Sequence, residues 1–239
     1  MIRKTYTFII SCLLLAMPGT VNAQYVDLLW DRIAHYPIIE GADDISGYNN
    51  HGLVSGAMLT SDRWGNADHA YCFDGIDDRI LCGNNLEPLT SSVTVASWIK
   101  TGSSNEYSHI ISKYDYTSDG GFILGIEDGL VKWSGRIGSG QFIGMTSASR
   151  IDDDQWHHVM GVIDGTTWSV YVDGILEKQI ETSYLRTDLQ CSEPLSVGMY
   201  HRGDGGDHRY FKGNIDGIII YKRALNACEI EVLFSGVSY

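Results

Sequence analysis

Between Tyr71 and Tyr221 the chain does not hold one apolar pattern for long. Strand-length runs rich in Val, Ile, Tyr, Trp and Phe alternate with turn residues, and 27 glycines punctuate the whole. The runs predict strands near 71–75, 79–83, 93–100, 108–113, 121–126, 130–134, 141–146, 156–163, 167–173, 175–181, 195–199 and 211–221. Asp128-Gly129 and Asp173-Gly174 each separate two such runs, and Asp-Gly supplies the positive φ that a two-residue hairpin turn needs. Many short strands joined this way predict an all-β fold, a two-sheet antiparallel jelly-roll sandwich. One short C-terminal helix is expected. Asn226 caps it, Glu229 reciprocates, Leu225 and Ile230 take the staple positions, and Gly236 ends it.

The segment YCFDGIDDRILC, residues 71–82, reads as a hairpin about an Asp/Gly turn, with Cys72 and Cys82 facing each other across it. Opposed residues on antiparallel strands lie within bridging distance. This predicts a Cys72–Cys82 disulfide and leaves Cys191 with Cys228, although the four cysteines that follow Cys12 also allow two other pairings. Disulfides imply an oxidising compartment.

The N-terminus points the same way. Arg3 and Lys4 precede an apolar run from Phe8 to Met17, and Val21-Asn22-Ala23 forms a small-residue cleavage pattern. Residues 1–23 therefore read as a secretory signal peptide, with 24–239 as one domain of a secreted or periplasmic protein. The run is too short to span a bilayer, so no membrane insertion is expected after cleavage. Thirty acids stand against 17 Lys and Arg, a formal charge of −13, and cleavage would remove two bases and no acid. Such a surface disfavours nucleic acid and suits neutral ligands or divalent cations.

Six ordered fragments carry a family resemblance: DDISGYNNHG (43–52), DRWGNADHAYCFDGIDDRI (62–80), VTVASWIK (93–100), DQWHHVMGVIDG (154–165), WSVYVDGILE (168–177) and GNIDGIIIYKRALNACEIEVLF (213–234). Together they resemble the laminin-G-like branch of the concanavalin A-like lectin superfamily, in its bacterial secreted form. The resemblance implies a jelly roll, often with calcium and often binding glycans or proteins. The chain departs from the common pattern at PIIEGADD (37–44) and at Cys72.

The resemblance implies a structural calcium held by Asp44 and Asp216, with the Asn49 carbonyl as a further donor; hard oxygen ligands suit that ion. Strict alternation would place Asp216 on the face of Ile218 and Ile220, and a carboxylate buried there needs a cation or several donors. Asp74, Asp77 and Asp78 read as solvated turn chemistry, as do Asp152 to Asp154. His157 and His158 point to opposite sheet faces and so cannot readily share a metal. HExxH, CxxC and GxSxG patterns are absent, and no carboxylate pair suited to glycoside hydrolysis stands out.

Ligand recognition is expected on loops, where aromatic faces stack on sugar rings and polar groups bond hydroxyls. The candidates are Trp64, Tyr114, Tyr116, Tyr200, Arg202 and Asp204. Trp98, Trp156 and Trp168 alternate within strands and are expected in the core. The leading function is a non-catalytic domain binding a glycan or a glycoprotein surface. The alternative is a structural or protein-interaction module of an extracellular or envelope assembly, and an enzyme ranks third.

Overall fold

The computed structural model describes residues 26–83, 86, 91–103, 107–114, 120–137, 141–183, 193–200 and 209–236. The segment 1–23, Tyr116, Cys191, Arg202 and Asp204 lie outside the described residues. In chain order the elements are β1 (Arg32–Tyr36), β2 (Leu53–Ser55), β3 (Met58–Thr60), β4 (Ala70–Asp74), β5 (Arg79–Leu81), β6 (Ser92–Lys100), β7 (Ser108–Tyr114) and β8 (Gly121–Glu127). They continue with β9 (Leu130–Ile137), β10 (Gln141–Arg150), β11 (Trp156–Asp164), β12 (Thr167–Val172), β13 (Ile175–Glu181), β14 (Ser196–Val197), β15 (Lys212–Tyr221) and α1 (Ala227–Phe234).

Two antiparallel sheets face each other. One runs β13-β12-β11-β6-β15-β4-β3, with β1 also pairing β15, and the other runs β10-β9-β8-β7-β14-β5-β2. Alternation drives the sandwich: Val93, Val95 and Ile99 of β6 meet Phe122, Leu124 and Ile126 of β8 in one buried core. Trp168 belongs to that core, as expected, and Trp133 packs against it with ring centroids 5.9 Å apart. Gly161 makes room for Trp133, since a Cβ there would lie 2.2 Å from the indole. The two Asp-Gly turns form as expected, with φ of 53° and 78° at Asp128 and Gly129 and 51° and 76° at Asp173 and Gly174.

A second apolar cluster covers the outer face of the eight-stranded sheet. Ala96, Met160, Val162, Ile219 and Tyr221 pack there against Leu225, Ile230 and Val232 at α1. Both halves of the expected capping box are present, and Leu225 and Ile230 are buried together.

The hairpin expected over 71–82 does not form. β4 pairs with β15 and β3 in one sheet, whereas β5 pairs with β14 and β2 in the other, so the connection crosses between sheets. Cys72 is consequently opposite Asn214 and Met58, not Cys82. Tyr71 and Phe73 face the core and leave Cys72 half-buried on the opposite face, while Cys82 is buried in the core. Among the described residues, Cys72, Cys82 and Cys228 are unbridged.

Asp216 is also re-aimed. The register shifts between Asp216 and Ile218, where Gly217 takes φ of 64°, a bulge that inserts one residue and resets the alternation. Ile215, Ile218 and Ile220 join the core, and Asp216 is left on the outer face beside its cross-strand partner Trp98. The expectation that Asp216 shares a face with Ile218 and Ile220 fails for that reason.

A cleft between two aspartate-anchored loops

The outer face of the eight-stranded sheet carries a cleft of about 480 Å³ beside the end of α1. Its floor is Trp98, His158 and Asp216, and two loops wall it. Each loop is organised by one buried aspartate.

In the first loop, the Asp44 carboxylate accepts hydrogen bonds from the amides of His35, Ser46 and Asn50 and from the Ser46 hydroxyl, at 2.9–3.0 Å. Burial pushes this carboxyl up, but those hydrogen bonds outweigh it and hold the group below its ordinary range. The Ile45 amide donates to the His35 carbonyl at 2.9 Å, and the Ile45 side chain is left exposed at the cleft. The second loop repeats the device. Asp62 accepts from the amides of Trp64 and Asn66 at 2.8 Å and from the Asn66 side chain at 2.9 Å. Its carboxyl too lies below the ordinary range, because these bonds and the nearby His69 overcome desolvation. A bond from the Glu40 amide to the Asp68 carbonyl ties the two loops together.

The second loop presents Arg63 and Trp64. Arg63 sits 3.6 Å from the centroid of Trp64 and 4.7 Å from that of Trp98, and its guanidinium pairs with Asp216. Burial pushes the Asp216 carboxyl up against the pull of that guanidinium. Trp98 is stacked on Phe234 of α1, with centroids 5.7 Å apart and planes at 20°. Trp64 is therefore held from below while remaining 59 % exposed. Burial, with the Arg63 charge adding to it, pushes His158 down to about 3, and burial pushes His35 down to about 4. Both imidazoles line the cleft uncharged at neutral pH, and the Nδ1 atoms of both are buried without a partner.

The residues expected to hold calcium do not fit one shared ion. Asp44 is saturated by protein donors, Asp216 already has a cation in Arg63, and Asn49 is exposed with φ of 59°. Among the described residues, the cluster of three acidic ligand atoms is Asp74, Asp77 and Asp78. Its bonds are those of a turn: Asp78 accepts the Asp74 amide and Asp74 accepts the Ile76 amide, each at 2.7 Å.

Of the expected ligand residues, Trp64 is the one described residue that stands open. Tyr114 and Tyr200 do come together, with ring centroids 5.6 Å apart, but on the outer face of the other sheet. They are 5 % and 6 % exposed, and the Tyr114 hydroxyl accepts from Arg136 Nε at 2.9 Å. They pack as a buried pair and offer no open stacking face. Trp98, expected in the core, is instead the cleft floor. His157 and His158 diverge as expected: His157 reaches Asp173 and Asp153 at 2.8 and 3.1 Å, whereas His158 lies against Trp98. Arg63, Asp62, His35 and His158 were not among the residues expected at a ligand site. The Asp62 to Asn66 turn signal was available beside Trp64, but the cross-sheet partners were not.

Comparisons with known proteins agree with this architecture. A family model described as the concanavalin A-like lectin/glucanases superfamily matches residues 74–231. No curated protein matches the chain in sequence. Among solved structures, the binding domain of Paraclostridial Mosquitocidal Protein 1 superposes with a TM-score of 0.71 at 18 % identity, over 87 % of this chain and 52 % of that one. Domain 4 of AbnA, a GH43 extracellular arabinanase from Geobacillus stearothermophilus in complex with arabinotriose, gives 0.67 at 17 % identity, over 85 % and 98 %. The botulinum neurotoxin serotype D ligand binding domain in complex with N-acetylneuraminic acid gives 0.63 at 17 %, over 87 % and 51 %. The chain thus spans about half the length of the two toxin domains and nearly all of the arabinanase domain. Identities this low establish a shared fold.

Proposed function

Because the chain belongs to the concanavalin A-like lectin/glucanases superfamily, we propose that it is a non-catalytic carbohydrate-binding domain whose ligand occupies the Trp64 cleft. The observation that carries this reading is an exposed indole, braced from below by Arg63, at the mouth of a cleft lined by Asn66, His69 and two uncharged imidazoles. An aromatic face takes the C–H side of a sugar ring while neutral polar groups exchange hydrogen bonds with hydroxyls. The Arg63 charge is cancelled by Asp216, and the chain is acidic overall, so the ligand is a neutral saccharide. Arabinotriose, bound by the arabinanase domain, is of that kind.

The two cleft carboxylates support a binding role over hydrolysis. Asp62 is committed to its own loop and Asp216 to Arg63, leaving neither as a general acid or base. Secretion through a cleaved signal at residues 1–23 belongs to the same proposal. A glycan and polysaccharide array tests it. Binding to neutral glycans that is lost in Trp64→Ala is the expected result; an array without hits would favour the protein-interaction reading.

A further inference from the structure

The cleft has two chemical halves. One carries Trp64, Asn66 and His69, and the other carries Pro37, Ile39 and Ile45. Ile39 is 60 % exposed and Ile45 is 51 % exposed, so three large apolar side chains, with Trp64, stand open around one opening. Single exposed apolar residues are ordinary, whereas a grouping at the mouth of a cleft marks a contact surface.

The backbone is strained to place one of them there. Ile38 and Glu40 take φ of 53° and 57°, a conformation that a β-branched residue such as Ile38 rarely adopts. Ile38 is buried in the core between the sheets, and the two left-handed residues turn Ile39 outward between them. Ile45 is presented by the Asp44 hydrogen-bond set already described. Two separate devices thus deliver an isoleucine to the same edge of the cleft. Strain of this kind collects at ligand sites.

We propose that the ligand is amphiphilic: a neutral sugar residue on the Trp64 side, carrying an apolar substituent that covers Ile39 and Ile45. This rests on the carbohydrate reading of the cleft and adds the second half of the ligand. The substituent could belong to a glycolipid or to an acyl- or alkyl-decorated soluble glycan, since the contacting chemistry is the same.

The test uses calorimetric titration with methyl and octyl β-glucosides and galactosides, the octyl compounds kept below micelle formation, and with octyl tetraethylene glycol as a sugar-free control. An octyl glycoside should bind about ten-fold more tightly than its methyl homologue, the equivalent of about two buried methylenes. Ile39→Ser/Ile45→Ser should bring that ratio to about one. Flotation with phosphatidylcholine vesicles carrying an octyl- or longer-chain glycolipid then separates the sources: co-flotation supports a lipid-borne ligand, and its absence alongside an octyl gain supports a soluble decorated glycan. Equal affinity within the methyl and octyl pairs would overturn the amphiphile while leaving the sugar site. Octyl tetraethylene glycol binding as well as the octyl glycosides would overturn the sugar site, and no binding by any probe would overturn both.

Discussion

Arg63 and Asp216, 153 positions apart in the chain, form an ion pair whose side chains are 15 % and 5 % exposed. The pair joins the loop that presents Trp64 to the bulge in β15 that turned Asp216 outward. Removing one member strands the other in a poorly solvated place. Arg63→Met or Asp216→Leu should each cost about 3 kcal/mol in urea unfolding. The double change Arg63→Met/Asp216→Leu should cost clearly less than the sum of the single changes, because no charge is left unpaired. Strict additivity would mean that the pair does not couple the loop to the sheet.

Acid sensitivity follows from the imidazoles. His158 and His109 are buried and pushed down to about 3, and His35 to about 4. Native His158 and His109 stay neutral while the unfolded chain takes up protons below about pH 6.5. Their contribution is therefore full above that pH and is lost as pH falls toward 3, by about 2 kcal/mol each at pH 5. His157 runs the other way. Burial lowers it, but Asp173 and Asp153 outweigh that and raise it, so its contribution is present at low pH and fades as pH rises through its raised value. Urea midpoints at pH 7.5 and 5 check the balance: stability should fall on acidification, and His109→Phe should flatten the slope. An unchanged slope in that variant would contradict the assignment.

Calcium should leave the fold unchanged. Asp44 is bonded by four donors and Asp216 holds Arg63, so the melting midpoint should be equal in millimolar calcium and in excess chelator. A midpoint that climbs with calcium would show that an ion displaces these partners.

The cysteines supply a covalent check on the strand crossing. Cys72 is partly accessible, whereas Cys82 is buried beside Tyr36 and its thiol is pushed up to about 12 by burial. A maleimide should label Cys72 in the native protein and Cys82 only after unfolding. Recovery of a disulfide-linked Cys72–Cys82 peptide would instead restore the hairpin.

Much of the fold was legible because it is local. The Asp-Gly hairpins, the alternation of β6 and β12 and the Asn226 capping box each depend on neighbours within a few residues. β1, β2 and β3 were not legible: they are three to five residues long, and sheet pairing, not a long apolar pattern, defines them. The turn at Gly75 looked like a hairpin because hairpins and crossings between sheets share turn chemistry; pairing partners more than a hundred residues away decide between them. The cleft was half legible. Trp64 stood out as a loop aromatic, but a one-residue bulge at Gly217 turned Asp216 outward beneath it, and no alternation rule anticipates a bulge; Trp98 reaches the same face through the unbroken alternation of β6, on the side opposite Val95 and Ile99.

Carbohydrate binding against Trp64 can be read directly from the indole N–H resonances of the six tryptophans. On titration with a neutral glycan identified by the array, the Trp64 and Trp98 signals should shift with saturation while those of core Trp133 and Trp168 stay in place. Saturable binding that leaves the Trp64 and Trp98 signals in place would put the ligand outside this cleft.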